Sequence, residues 1–387
     1  MVDLRLVVAL FLLLASTAQA RPGDLDRSFG DRGRVAFMRE SGGFVAGMSL
    51  VDGRRPLLSV GTGLYGNPAP RLLSLTAAGA VAAETPVTAL AAPWLTGGYA
   101  LTHVGADPTR YTFAPIGATG VELTVPFTNA PLDLSPSIGT VGVDRAGRIL
   151  VTVTLDVGTT WRVVALRFLP DGTLDTSYRR ELGNRLIVDA LVKPDGRHYM
   201  LAWLRRSGLR VRAFDAAGRP LPGFRSRALR TGRFRKLEYP AQIAAAPGGR
   251  LLVAGGAPFH TGWIARLRAD GRLDRRFGDR GLRVLRRFTP NALVRDRRGR
   301  IVLAGLRQSG SYGQAGVVRL SANGRVELRV AKQIGALRGV RLIASEASDV
   351  AIDDRDRIVL AGAAYDDDYG IRDDLGHSYP AVARLKG

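Results

Sequence analysis

A glycine that ends a short stretch of β-type residues recurs along this chain at a mean interval of about 52 residues. Self-similarity at a period of this size is the signature of a repeat architecture. Outside the N-terminal segment no window shows a sustained 3.6-residue periodicity, so the repeats predict strands rather than helices. The recurring positions are Gly23, Gly79, Gly120, Gly172, Gly218, Gly271, Gly324 and Gly387.

Two turn motifs mark the repeats. The first is clearest at residues 270–281, Asp-Gly-Arg-Leu-Asp-Arg-Arg-Phe-Gly-Asp-Arg-Gly, which match residues 23–33 and, with Tyr in place of Phe, residues 171–178. The second is a turn ending in arginine that leads into four or five aliphatic residues, as at residues 298–305. Asp-Gly turns tolerate positive φ, and short apolar runs bounded by glycine are typical of strands.

A repeat of about 52 residues accommodates four short strands and their connections. We therefore predict an all-β fold, a seven-bladed β-propeller with four-stranded blades. An open β-solenoid is the alternative, although solenoid coils are usually shorter. We expect one propeller domain over residues 21–387, with repeats at about 24–79, 80–120, 121–172, 173–218, 219–271, 272–324 and 325–387.

The two ends of the chain complement each other. The chain stops at Gly387, where the next Leu-Asp-x-x-Phe-Gly would begin, and residues 25–30 supply that segment. We predict that residues 33–38 form the outer strand of the last blade and so close the ring. This arrangement removes the two exposed sheet edges that a ring cut between blades would leave.

The first motif, followed by Gly-Arg-Ile-x-Val-x-Gly, resembles the delta-60 repeat, a bacterial β-propeller family of uncharacterised function. The resemblance extends over residues 22–387 and is strongest over 140–324. It implies a propeller fold and an extracytoplasmic setting. It implies no catalytic residues.

Residues 1–20 have the pattern of a secretory signal peptide. Arg5 precedes ten apolar residues, and Ala18-Gln19-Ala20 is a small-x-small cleavage site. A membrane anchor is the alternative, but ten residues fall short of the roughly 20 that span a bilayer. We expect an exported protein, periplasmic or extracellular, with no transmembrane segment in the mature chain. The sequence has no cysteine, which excludes disulfides and thiol catalysis.

Positive charge is concentrated in one part of the chain. The net charge is +22, and residues 205–307 hold 26 Arg or Lys against 6 Asp or Glu. A high arginine content typical of a GC-rich genome is the alternative explanation. A lopsided basic surface attracts polyanions, and arginine suits bidentate contact with phosphate or carboxylate. The sequence predicts a polyanion site on blades five and six, which we represent by Arg227, Arg233, Arg276 and Arg287.

The sequence contains no strong signal for a cofactor or a metal. The four histidines lie in different repeats, and no zinc-binding spacing is present. Five aspartates fall within residues 366–374, and we interpret this segment as a solvated acidic loop rather than a calcium site, because it lacks the EF-hand order of ligands. We predict no cofactor and no metal.

Five polar residues could line a central channel. Each stands at or next to the position eight residues before the arginine that ends the second turn motif, which is residue 148, 197, 250, 300 or 357. The five residues are Thr140, Asp189, Gln242, Asn291 and Asp349. These positions could instead face only channel water.

The function that the sequence favours is an exported, non-enzymatic binding or scaffolding module. Its partners would be an anionic polysaccharide, lipid head groups or another envelope protein, and no nucleic acid is expected. The alternative is a hydrolase or lyase acting on envelope polysaccharide, with Asp189 and Asp349 as acid and base, since two placed carboxylates need no sequence motif.

Overall fold

A computed structural model describes most of the chain. The described residues are 21–37, 43–62, 70–87, 94–96, 98–104, 107–116, 118–126, 137–156, 161–183, 186–204, 208–227, 229, 241–256, 261–309, 312–366 and 377–387. The predicted signal peptide lies outside them. Within the described ranges no helix has the length and apolar character needed to cross a membrane.

The regular elements of the described residues are 27 strands in seven antiparallel sheets. Blade one contains β2 (Gly43–Val51), β3 (Arg55–Thr62), β4 (Arg71–Leu75) and β5 (Val81–Pro86). Blade two contains β6 (Trp94–Thr96), β7 (Tyr99–Val104), β8 (Asp107–Pro115) and β9 (Val121–Thr124). Blade three contains β10 (Ser137–Val143), β11 (Ile149–Asp156), β12 (Trp161–Phe168) and β13 (Leu174–Gly183). Blade four contains β14 (Leu186–Val192), β15 (His198–Leu204) and β16 (Gly208–Phe214).

The remaining three blades follow the same order. Blade five contains β17 (Ala241–Ala245), β18 (Leu251–Gly256), β19 (Thr261–Leu267) and β20 (Leu282–Arg286). Blade six contains β21 (Phe288–Arg295), β22 (Ile301–Ser309), β23 (Tyr312–Leu320) and β24 (Val326–Lys332). Blade seven contains β25 (Leu342–Ile352), β26 (Ile358–Asp366), β27 (Ser378–Leu385) and β1 (Arg34–Ala36).

The first strand of each blade contacts the first strand of the next, and β25 contacts β2, so these seven strands form a closed inner ring. The chain is therefore an all-β, seven-bladed propeller, as the repeats predict. In blade seven, β1 pairs with β27 in antiparallel register, with Val35 opposite Val382. The N-terminal segment thus occupies the outer position of the blade that the C-terminal strands build.

The hydrophobic core lies between the blades. Each of the six buried clusters combines residues of two neighbouring blades, such as Val302 of blade six with Leu360 of blade seven. Because each sheet is covered on both faces, the middle strands bury both sets of side chains, and all six residues of β18 are buried. This explains why those strands are unbroken apolar runs in the sequence.

The Leu-Asp-x-x-aromatic motif forms a contact between blades that we call the latch. In blade seven, Asp26 accepts a hydrogen bond from Arg384 Nε at 2.8 Å, and the guanidinium carbon of Arg384 lies 4.8 Å from the centre of the Phe29 ring. Arg384 Nη1 then donates to the carbonyl of Ala77 in blade one, 2.5 Å away. The ring of Phe29 packs beneath Gly79, where a Cβ would lie 3.0 Å from it. The motif is thus structural, and its glycine leaves room for the ring of the preceding blade.

The same latch occurs at two further blade boundaries. Blade three uses Asp175, Arg167 and Tyr178 and reaches the carbonyl of Ala216 in blade four. Blade five uses Asp274, Arg266 and Phe277 and reaches the carbonyl of Ala322 in blade six. A buried ion pair needs further hydrogen bonds to offset its desolvation, and the carbonyl of the next blade supplies one.

Blade four departs from the predicted four strands within the described residues. Only isolated bridges, Phe214 with Pro220 and Leu209 with Leu229, hold its outer edge. The segment contains Pro220 and Pro222, which have no N–H to donate to a strand ladder, so they interrupt regular pairing.

Replacing Phe29 with alanine should lower the free energy of unfolding by about 3–5 kcal/mol, because the ring is fully buried between blades seven and one. Phe44→Ala provides the matched control, since Phe44 is 41% exposed and its loss should cost little. Chemical denaturation of both variants measures the difference. Equal losses would contradict the role of the latch.

Deleting residues 21–37 should destabilise the protein far more than the loss of an ordinary tail. The deletion removes β1, Asp26 and Phe29, and it leaves β27 with an unpaired edge and Arg384 with no carboxylate partner at Asp26. A melting temperature within a degree or two of that of the intact protein would contradict the pairing of the two chain ends.

Candidate functional site

The five channel positions fall on the inner strands in equivalent register. Asp189, Gln242 and Asp349 each pair with a residue twelve positions later on the second strand of the blade, as do Thr140 and Ala292. Asn291 occupies the β-bulge directly before Ala292. Equal spacing from the aligned arginines therefore reflects equal register, and the structure places these residues around one ring.

The two aspartates of this ring join neighbouring blades. Asp189 Oδ2 accepts a hydrogen bond from the backbone N–H of Ile243 in blade five at 2.8 Å, while Oδ1 accepts one from Ala190. Asp349 Oδ2 accepts one from Met48 N–H in blade one at 2.8 Å, while Oδ1 accepts one from Val350. Both oxygens of each carboxylate therefore bind backbone, and the pattern repeats at the two boundaries.

Residues at the bulges add a second set of bonds between blades. Asn291 Nδ2 donates to the carbonyl of Ala347 at 3.0 Å, and the hydroxyl of Ser348 donates to the carbonyl of Val45. The hydroxyl of Thr140 instead bonds to Thr152 within blade three. Asp189, Asn291, Ser348 and Asp349 thus join neighbouring blades at the inner ring by side chain to backbone bonds, and the polarity of these four residues serves the assembly of the ring.

Burial raises the pKa of Asp189 to about 7 and that of Asp349 to about 6, although two backbone N–H donors oppose the shift in each case. These carboxyls differ from the surface carboxyl of Asp171, whose pKa is lowered by hydrogen bonds from Thr173. Ionisation of the two buried groups costs free energy in the folded state.

Asp189 and Asp349 belong to blades four and seven, so two blades separate them on one side of the ring and three on the other. Each is bound to its own blade boundary. The described residues therefore show no acid–base pair made of these two carboxylates.

A cavity lies at the boundary between blades four and five, away from the inner ring. It has a volume of about 1330 Å³ and is bordered by the turn before β18 and the β19–β20 connection. Among the described residues, eight arginines line it: Arg225, Arg227, Arg250, Arg268, Arg272, Arg275, Arg276 and Arg280. Asp274 is the only carboxylate among the described lining residues, so arginines far outnumber carboxylates in this lining.

The blade four side of this boundary has no latch. Phe224 packs beneath Gly271, as Phe29 packs beneath Gly79, but Leu221 and Ala213 stand where the aspartate and arginine of a latch would be. Their backbones are joined, Leu221 N–H to Ala213 carbonyl, at 2.9 Å. The ion pair of a latch is therefore absent at this boundary.

A second cavity of about 710 Å³ adjoins the first at the boundary between blades five and six. The two share Arg250, Asp274 and Arg276, and the second adds Arg266, Arg295, Arg297 and Arg298. We refer to the two cavities together as the basic groove. It brings arginines from residues 225 to 298 onto one surface, which the sequence predicts only as a charge excess.

The four arginines chosen from the sequence have different positions. Arg227 and Arg276 line the groove. Arg287 lies in the β20–β21 connection, at the opposite end of the strands from the turns that border the groove, because successive strands run antiparallel. Arg233 lies outside the described residues. The sequence analysis did not single out Arg250 or Arg268. A sequence signal for Arg250 exists, because its turn begins with Ala246, whereas the turns of blades three, six and seven begin with aspartate.

Two other candidates belong to the interior. Asp366, the first residue of the acidic segment, is buried and accepts hydrogen bonds from Tyr379 at 2.9 Å and His377 at 3.1 Å, so it is not part of a solvated loop. The rest of that segment up to residue 376 lies outside the described residues. His198 is buried against Tyr178, and burial lowers its pKa to about 4. No group of three or more metal-ligating side chains occurs among the described residues.

One comparison, with a family model, agrees with the propeller fold. A family model described as a domain of unknown function (DUF5122) beta-propeller matches residues 147–178, which lie in blade three. No curated protein matches the sequence.

Two solved structures are distantly similar to this chain. The polysaccharide lyase Uly1 has a TM-score of 0.46 and 11% identity, with 91% of each chain covered. A quinonprotein alcohol dehydrogenase-like protein (BT1487) from Bacteroides thetaiotaomicron has a TM-score of 0.42 and 10% identity, with 75% of this chain and 66% of that chain covered. Similarities this distant carry no argument about function.

The inner-ring carboxyls should make stability depend on pH. Their pKa values rise from 3.8 in the unfolded chain to about 7 and about 6, so the folded state binds more protons between pH 4 and 7 and the free energy of unfolding falls as pH rises. An Asp189→Asn/Asp349→Asn variant lacks both carboxyls, so their contribution to the decrease in the free energy of unfolding with rising pH should vanish. Denaturant titrations from pH 4 to 8 measure the slope.

Asp171→Asn is the matched control, because Asp171 is exposed and its pKa is lowered, so the slope between pH 4 and 7 should be unchanged. His198 contributes an opposite slope below its usual pKa of 6.5, and it is present in every variant, so it cancels in the comparison. An unchanged slope in the double variant would show that the two carboxyls ionise freely.

Proposed function

We propose that this protein is an exported, non-enzymatic binding module that recognises an anionic polymer of the cell envelope through the basic groove. The observation that carries the proposal is that several arginines of the groove are exposed and lack an ion-pair partner. Among the described residues, Arg225, Arg227, Arg275, Arg276 and Arg280 have no ion-pair partner, and all five are exposed. Clustered guanidinium groups that lack internal carboxylates are available to anions from solution.

The chemistry of the groove narrows the class of ligand. Among the described residues, none that lines its two cavities is aromatic. Proteins that bind single-stranded nucleic acid stack bases on aromatic side chains, so this lining favours a polymer without bases. The signal-like segment at residues 1–20 supports the same choice, since an exported protein meets acidic polysaccharides, anionic lipid head groups and envelope proteins.

The enzymatic alternative has no comparable support. Asp189 and Asp349 lie in blades that are not neighbours, and the oxygens of both accept backbone hydrogen bonds. A general acid or base must reach the proton of a bound substrate. Carboxylates that hold blades together are poorly placed for that role.

Reversing two groove charges should weaken binding of an acidic polysaccharide at least about tenfold at low salt, because affinity here depends on close contact with guanidinium groups. The variant is Arg275→Glu/Arg280→Glu. Titration of polygalacturonate into the purified protein at two ionic strengths measures the effect, and wild-type affinity should fall steeply with salt.

Arg27→Glu/Arg32→Glu is the matched control. Arg27 and Arg32 occupy the same motif positions in blade seven, Arg32 and Arg280 have nearly equal φ values of 51° and 52°, and neither control residue lines the groove. The change in net charge is the same in both variants. Equal weakening would assign binding to overall charge, and unchanged binding in the groove variant would reject the groove as the site.

A further inference from the structure

Blade five lacks a carboxylate that three other blades have. In blades three, six and seven, the turn between the first two strands begins with Asp144, Asp296 and Asp353. Each accepts the backbone N–H of the arginine four residues later and also that arginine's Nε, with Arg148 Nε 2.7 Å from Asp144. Blade five has Ala246 at this position, with the same backbone bond from its N–H to the carbonyl of Arg250.

The absence of this aspartate leaves Arg250 more exposed than its equivalents. Its side chain is 43% exposed, against 28% for Arg148, 16% for Arg300 and 14% for Arg357. Arg250 Nε lies 3.2 Å from Asp274, and Nη1 donates to the carbonyl of Pro247 at 3.1 Å.

The comparison with blade seven shows the charge imbalance. There, Arg357 and Arg384 share two carboxylates, those of Asp26 and Asp353. In blade five, Arg250 and Arg266 share only the carboxylate of Asp274. The two arginines and two aspartates of blade seven therefore sum to zero charge. The equivalent set in blade five has two arginines and one aspartate, so it carries one excess positive charge.

This excess charge lies in the middle of the basic groove, since Arg250 and Asp274 line both of its cavities. Leu273, which borders the larger cavity, is 41% exposed. The lining of the larger cavity thus contains both an arginine with an incomplete set of carboxylates and an apolar side chain that faces solvent.

We propose that a carboxylate of the ligand binds Arg250 in the place that aspartate occupies in the other blades, and that the ligand is a linear polysaccharide of uronic acids. The inference rests on the proposed function and names its ligand. Within this same chain, the turn position accommodates a carboxylate that contacts both Nε and Nη2 of the arginine, as Asp144 does with Arg148 at 2.7 Å. The apolar faces of sugar rings suit an exposed leucine, whereas a bare phosphate chain has no such face.

Restoring the missing carboxylate should compete with the ligand. Ala246→Asp should lower affinity for polygalacturonate about tenfold or more, since a charged hydrogen-bonded contact is worth about 1.5–3 kcal/mol. It should leave the melting temperature equal or higher, because aspartate also accepts the turn N–H groups, as Asp144 does. Ala246→Asn is the matched control, with the same size and no charge, and should bind within about threefold of wild type.

Further outcomes test the proposed carboxylate site. Equal loss in the Asp and Asn variants, or wild-type affinity in Ala246→Asp, would overturn it. Arg250→Gln should lose as much affinity as Ala246→Asp, and retained binding would also overturn it. Dextran sulfate that binds more tightly than polygalacturonate at equal ionic strength would reject the uronate while leaving the anionic groove intact. If no anionic polymer binds the wild-type protein, the proposed function itself fails.

Discussion

Three aspartate–arginine pairs, two of them buried and each with its guanidinium over an aromatic ring, hold neighbouring blades together at the outer part of the propeller. Each arginine satisfies its own aspartate and a carbonyl of the next blade, so one side chain ties two sheets. The attraction within a buried ion pair offsets only part of the free-energy cost of its desolvation. In the latch, the additional contacts of the arginine with a carbonyl and with an aromatic ring make the arrangement favourable. In blade seven the aspartate and ring come from the N-terminal segment and the arginine from the C-terminal strand, so the same interaction joins the chain ends.

A second set of bonds holds the ring near its axis. Asp189 and Asp349 each bind an N–H of the next blade, and Asn291 and Ser348 reach carbonyls at the bulges. Polar residues on inner strands resemble a ligand site in sequence, because both uses need hydrogen-bonding side chains flanked by apolar ones. The partners of these four residues are backbone groups, which explains their polarity without a ligand.

The basic groove occurs where the repeats of this chain differ from one another. Ala213 and Leu221 stand in place of a latch pair, so no latch crosses from blade four to blade five. Ala246 stands where other blades have aspartate, which leaves Arg250 with only part of the carboxylate set that Arg357 has in blade seven. Differences at a few acidic positions thus accompany a cationic surface while the fold is kept.

The repeat period, the turn dipeptides and the apolar runs determined the propeller from sequence alone, because strand length and blade size follow local chemistry. The prolines at 220 and 222 could have predicted the irregular edge of blade four. The charge excess of residues 205–307 was also evident. Only the tertiary structure decided which arginines lack partners, since Arg384 and Arg266 have carboxylate partners in the latches while Arg275 has none among the described residues. Pairing depends on contacts between residues as far apart as 26 and 384, and composition carries no information about those distances.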